Sequence, residues 1–153
     1  MARNHSLHSQ RLAAQDPAGV KNGSPLIPGE GIEGDRYARA NKPPNAHHGA
    51  GHEVTLVESE AVEALERDYQ IHLEPGQTRR NLTTRGVPLN HLVGREFQVG
   101  EVRLRGIQLC EPCAHLERLL DRPVVSGLRH RGGLRAEVLT EGVIRVGDVV
   151  REA

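Results

Sequence analysis

A chain of 153 residues has room for one domain, and its twenty basic residues balance twenty acidic ones, so no net field draws it toward nucleic acid or a membrane surface. Phe97, Tyr37 and Tyr69 are the only aromatics, which removes the stacking platforms of a single-strand binder and leaves an aliphatic core. Lys21 and Lys42 are the only lysines, both in loop-like sequence, which argues against a pyridoxal phosphate enzyme with its Schiff-base lysine.

Residues 1–20 are rich in His, Ser, Gln and Ala and lack a clean period, as expected of a poorly ordered end or an irregular first strand. Residues 22–34 are dominated by Gly and Pro and read as consecutive turns around one short extended piece. A second loop, residues 38–51, carries Pro43-Pro44 and His47-His48. Val54–Glu58 predicts a strand, and Ser59 is placed to cap a helix whose buried stripe is Ala61, Val62, Leu65 and Tyr69. Pro75-Gly76 breaks the chain, residues 80–84 predict a strand, residues 87–93 a turn with apolar content, and residues 97–99 the start of another strand.

Residues 101–109 alternate as a strand, and Cys113, Leu116 and Leu120 share a helical stripe just beyond. Residues 123–130 form a short segment before Arg131-Gly132-Gly133, and residues 134–139 and 143–150 predict closing strands. Many short strands with two or three short helices imply a mainly β fold, a mostly antiparallel β-barrel in a single domain over residues 1–153. The regular strand–helix alternation of a doubly wound sheet is missing.

The two cysteines, Cys110 and Cys113, straddle a strand-to-helix junction in Cys-Glu-Pro-Cys. Pro112 suits the first helical position, so Cys113 is expected beside unpaired backbone N–H groups that favour a thiolate. A thiolate attacks sulfur, carries a persulfide or binds a soft metal such as molybdenum or zinc. Without a signal peptide or an apolar run long enough to cross a bilayer, such a pair fits a reducing cytosol, and a cytoplasmic location is expected.

Other constellations leave alternatives open. Residues 31–36 (Gly-Ile-Glu-Gly-Asp-Arg) set Asp35 and Arg36 after a glycine turn, either for close approach to a ligand or as a surface ion pair. Arg79, Arg80, Asn81, Thr83 and Thr84 describe either a phosphate clamp or a solvated strand face; alternation would send Arg80 and Thr84 to one side and Arg79, Asn81 and Thr83 to the other. His130-Arg131-Gly132-Gly133 repeats glycines beside basic groups and can close an anion site from the opposite side. His47, His48 and His52 invite a zinc reading, but two cysteines without a second ligand pair do not complete a structural site. A thioredoxin-like redox pair would need a βαβ context.

With these residues assembled, the chain resembles the MOSC domain family, named for the C-terminal domain of molybdenum cofactor sulfurases. The likeness lies in residues 31–36 (G-I-E-G-D-R), 54–58 (V-T-L-V-E), 78–94 (T-R-R-N-L-T-T-R-G-V-P-L-N-H-L-V-G), 97–100 (F-Q-V-G), 109–119 (L-C-E-P-C-A-H-L-E-R-L) and 130–147. The resemblance implies a Greek-key-type β-barrel that binds molybdenum cofactor (molybdopterin) or handles sulfur destined for it. Cys113 matches the family cysteine proposed as persulfide carrier or molybdenum ligand, with Cys110 as a resolving or packing thiol. The family motifs map onto Asp35, Arg36, Arg80 and Asn81, and with Thr84, His115, His130 and Arg131 these make the candidate cofactor-binding set. Many members carry an arginine ahead of the Val-Thr-Leu strand, where this chain has His52-Glu53.

The reading that follows is a cofactor-binding or sulfur-carrying protein. As an enzyme, resemblance favours molybdenum-dependent reduction of N-hydroxylated substrates. The alternatives are a cofactor-binding or storage module without turnover, and a Cys-x-x-Cys redox or zinc protein. Since no pyridoxal phosphate domain is expected in the chain, the partners implied are a cysteine desulfurase or an electron-donor protein, with no nucleic acid and no membrane.

Overall fold

The computed structural model describes residues 11–15, 24–32, 53–73, 77–78, 80–112, 117–118 and 124–152. Among these residues, ten strands form two sheets. The larger has seven strands in the order β1-β5-β4-β8-β7-β6-β10, built from β1 (Arg11–Gln15), β4 (Val54–Glu58), β5 (Leu82–Arg85), β6 (Glu96–Val99), β7 (Val102–Leu109), β8 (Leu134–Val138) and β10 (Val150–Glu152). The smaller joins β3 (Gly31–Ile32), β2 (Ser24–Ile27) and β9 (Gly142–Ile144). Every pairing between named strands is antiparallel except β4 with β5. The parallel pair is spanned by helix α1 (Ser59–Tyr69), the crossover that parallel neighbours require. The molecule is thus mainly β and barrel-like, as the short strands imply.

Alternation explains which faces turn inward. Val54 and Leu56 on β4, Leu82 and Thr84 on β5, Phe97 and Val99 on β6, Val102 and Leu104 on β7, and Leu134, Ala136 and Val138 on β8 are buried. With Leu26, Ile32 and Ile144 of the smaller sheet, they make one core around Phe97, the chain's only phenylalanine. A second cluster lies under α1, where Ala61 and Leu65 pack with Ile71, Leu73, Val124 and Leu128. Val124 opens the short helix α2 (Val124–Gly127).

Several boundaries differ from the sequence expectation. Helix α1 starts at Ser59 itself; Glu58 takes the cap position and makes no side-chain cap bond. Its carboxylate reaches instead to the Leu89 N–H at 3.0 Å. Tyr69, expected on the buried stripe, is 47% exposed, and Ala64 is buried beside Ala61 and Leu65. Residues 87–93 contain a 3₁₀ turn (Leu89–Leu92), and β5 starts at Leu82, two residues later than expected. The delay has a cause: the Asn81 Oδ1 accepts the Thr55 N–H at 2.8 Å and sits 3.1 Å from its hydroxyl, replacing ladder bonds with a side chain. A regular strand, β1, lies within residues 1–20, although its register with β5 shifts between Leu12 and Gln15.

Glu53 joins the two sheets. It is 8% exposed, and its Oε1 accepts both the Gly29 N–H in the β2–β3 turn (3.3 Å) and the Val138 N–H at the end of β8 (2.8 Å). Two N–H groups converging on one side-chain oxygen account for an acceptor at this position, and Gly31 passes so close to the Glu53 main-chain carbonyl that a Cβ would overlap it. Glu53→Ala leaves two N–H groups without that acceptor and is expected to lower unfolding stability by about 2–3 kcal/mol in urea denaturation, whereas Glu53→Gln, which keeps a carbonyl oxygen, retains most of it.

Candidate functional site

Strand β7 delivers the chain to Cys110 past an irregularity between Gly106 and Gln108, where its pairing with β8 slips by one residue. Gly106 is needed there: a side chain would overlap the Leu92 carbonyl. The Cys110 N–H then donates to the Gly133 carbonyl at 2.7 Å, which brings the start of Cys-Glu-Pro-Cys against the turn that precedes β8.

Arg80 locks this junction. Its Nε donates to the Gly132 carbonyl at 2.7 Å, its Nη2 to the Cys110 carbonyl at 3.0 Å, and its Nη1 more loosely to the Thr78 carbonyl at 3.5 Å. At 9% exposure, Arg80 has no carboxylate partner among the described residues, and its planar fork is spent on backbone oxygens. The two glycines permit the approach. A Cβ on Gly132 would overlap the Cys110 carbonyl and crowd Pro112; one on Gly133, at φ +120°, would overlap the Leu56 carbonyl.

A second fastening lies one residue further on. Glu111 accepts the His130 N–H at 2.7 Å through Oε1 and meets the His130 Nδ1 at 2.8 Å through Oε2. The His130 backbone N–H, and after it the imidazole, holds the Glu111 carboxyl below the ordinary glutamate range against the opposing effect of burial. His130 itself is at φ +62°, an uncommon conformation for a residue with a side chain, and the Asn90 Nδ2 donates to its carbonyl at 2.8 Å.

Beside these fastenings opens a cavity of about 230 Å³ lined by Glu58, Pro88, Asn90, His91, His130, Arg131 and Gly133. Burial raises the Glu58 carboxyl above its usual range; the Leu89 N–H, Arg131 and His91 pull the other way, and Glu60 adds to the rise. The wall therefore mixes a half-buried acid with two imidazoles, a guanidinium and an amide, the mixture expected where a small polar ligand is held.

The sequence-predicted residues divide. Cys110 (3% exposed), Arg80, His130 and Arg131 come together at this junction. Asn81 and Thr84 turn toward β4: Asn81 binds Thr55, and the fully buried Thr84 hydroxyl points to the Val57 carbonyl at 3.5 Å. Arg80 belongs to the protein's own scaffold rather than to an open anion clamp. Cys113, His115, Asp35 and Arg36 lie outside the described residues, as does the His47, His48 and His52 group. Among the described residues no cluster of three or more metal-ligating side chains forms. Glu58, Asn90, His91 and Glu111 escaped the sequence reading. The one available signal was an acid ending the apolar run Val-Thr-Leu-Val-Glu, where burial at a strand-to-helix turn is foreseeable.

A family model described as MOSC domain matches residues 43–151. Among solved structures the fold is similar to the crystal structure of a hypothetical protein (TM-score 0.71, 18% identity, covering 94% of this chain and 67% of that one). It is also similar to YuaD from Bacillus subtilis (TM-score 0.68, 17% identity, 94% and 92% covered) and to YiiM from Escherichia coli (TM-score 0.68, 18% identity, 94% and 69% covered). No curated protein matches the chain. At these identities the likeness concerns the fold.

Two outcomes are expected. Arg80→Met strips donors from buried carbonyls and lowers stability by about 2–4 kcal/mol in urea denaturation, with faster hydrogen exchange at the Cys110 amide than at Leu104 in β7. Glu58, harder to ionise folded than unfolded, contributes stability that is whole below its unfolded pKa of about 4.3 and lost as pH rises through the raised folded value. Glu58→Gln keeps an acceptor for the Leu89 N–H without the charge, so its denaturation midpoint gains on the wild type between acid and neutral pH.

Proposed function

The chain belongs to the MOSC domain family, and on that premise we propose that it binds molybdenum cofactor and uses Cys113 as its reactive thiol, either as a molybdenum ligand or as a persulfide carrier. The observation that carries this reading is the double fastening of Cys110 and Glu111. Arg80 holds the Cys110 carbonyl, Glu111 holds His130, and both ties anchor the stretch leading to Cys113 beside the cavity of Glu58, His91 and Arg131. A rigid platform under a nucleophile is what positional catalysis and group transfer need.

The lining fits an anionic, heterocyclic cofactor. Arg131 and His91 are suited to phosphate oxygens, and Glu58 and Asn90 offer acceptors to ring N–H groups. Asp35, Arg36 and His115 join this set by family resemblance. When bound, the cofactor supplies two-electron redox chemistry at molybdenum, and N-hydroxylated compounds are the substrate class resemblance favours. The chain's own residues bind and orient it, and an electron-donor protein or a cysteine desulfurase completes the system. A binding or storage role without turnover uses the same contacts.

Protein produced in cells with an intact molybdopterin pathway is expected to contain molybdenum, and protein from pathway-deficient cells to lack it, by elemental analysis. Incubation with a cysteine desulfurase and cysteine is expected to add one sulfur atom at Cys113, read by mass spectrometry of the intact chain and its peptides. Cys113→Ser abolishes both molybdenum retention and sulfur addition, while Cys110→Ser, which alters a buried side chain whose backbone makes the contacts, keeps most of each. Equal damage from the two substitutions points instead to a Cys-x-x-Cys redox or zinc protein.

A further inference from the structure

We propose that Glu58 and Asn90 form a recognition edge for a fused amino-oxo-pyrimidine ring, the edge common to pterins and guanine, with Arg131 and His91 receiving the ligand's anionic substituent. The inference rests on the cofactor reading above and assigns the residues that read the heterocycle.

Among the described residues, the hydrogen bonds already made leave two acceptors and two basic groups on this wall. Glu58 gives Oε2 to the Leu89 N–H at 3.0 Å, and its Oε1 accepts nothing among the described residues. Asn90 gives its Nδ2 to the His130 carbonyl at 2.8 Å. That bond fixes the orientation of the amide, since a carbonyl cannot accept from an oxygen, and leaves Oδ1 as a second open acceptor among the described residues. Both residues line the cavity, so its wall offers two acceptors to an incoming ring. On the donor side, the Arg131 and His91 side chains make no hydrogen bond among the described residues, and both lie near enough to Glu58 to influence its charge. A ligand that satisfies the wall must therefore present adjacent N–H donors at one end and negative charge at the other. An amino-oxo-pyrimidine has the donors in its ring N–H and amino group, and a phosphate or carboxylate supplies the charge.

Volume narrows the choice. The cavity, at about 230 Å³, is smaller than the roughly 300–1,000 Å³ of sites that enclose drug-sized molecules, so it suits one bicyclic ring system and not a dinucleotide. The wall is also rigid where it matters. Leu89 belongs to the 3₁₀ turn that holds Glu58, and His130, which holds Asn90, is itself gripped by Glu111.

The test uses cofactor-free, full-length protein and three probes: pterin carboxylate, followed by its own fluorescence; its lumazine counterpart, in which a carbonyl replaces the amino group; and guanosine monophosphate, as a competitor. Saturable quenching by wild-type protein is expected with pterin carboxylate, and at least tenfold weaker binding with the lumazine, whose carbonyl meets the Glu58 carboxylate. Glu58→Gln must keep its oxygen on the Leu89 N–H and turn an NH2 toward the ligand's donors, so affinity for pterin falls at least tenfold while folding is retained. Asn90→Ala, at an exposed position, gives a several-fold loss and decides the matter if Glu58→Gln fails to fold. Displacement by guanosine monophosphate supports the shared edge, and a preference for it over pterin keeps the edge while overturning the cofactor reading. Equal affinity for pterin and lumazine, no binding of either, or variants that bind like wild type overturn the proposal. Molybdenum content, measured separately, tells failure of the edge from failure of the cofactor reading.

Discussion

The buried guanidinium of Arg80 holds together the two turns on which the site is built. Burying an arginine is costly unless its N–H groups find acceptors, and here the acceptors are main-chain carbonyls at the end of β7 and before β8. Backbone oxygens cannot move without moving their strands. The arginine therefore sets the distance between the cysteine-bearing segment and the glycine turn, and a shorter or branched donor could not reach all three carbonyls at once. The glycines at 132 and 133 are the complement of this interaction, since only a chain without side chains lets the two turns approach so closely.

From that junction the cavity follows. Glu58 ends β4, an interior strand that carries Leu56 beneath Gly133, and it is half-buried where α1 begins at the next residue. His130 and Arg131 arrive from the turn before β8, and Asn90 and His91 from the 3₁₀ turn before β6. Three segments remote in sequence thus meet at one mouth. Their opposing charges act on each other: burial makes the Glu58 carboxyl weaker as an acid, and the neighbouring Arg131 and His91 offset part of the effect. A wall of this kind accepts ligands that are polar at both ends.

Much of the architecture was legible in the chain. Val54–Glu58 is bounded in the structure as alternation predicts, and the short, closely spaced strands correctly point to a barrel-like β fold. The structure departs from the sequence expectation where side chains replace backbone bonds. Asn81 substitutes for ladder bonds and delays β5; Glu58 takes the cap position of α1 and gives its carboxylate to the Leu89 N–H. Periodicity registers which face a residue takes, and it is blind to a polar side chain that bonds across the fold. Arg80 illustrates the same limit, because an arginine beside Asn and Thr has the composition of an anion clamp whether or not its N–H groups are already occupied.

The sequence by itself determined the aliphatic core, the strand periods, the family and the cysteine-bearing segment, all of which are local patterns of residue type and spacing. Only the tertiary structure decided that Arg80 grips carbonyls, that Glu53 ties the sheets, and that Glu58, Asn90, His91, His130 and Arg131 share one cavity. The physical reason is that hydrogen bonds and buried charge depend on distances between segments as much as 85 residues apart, and those distances exist only once the sheets have closed.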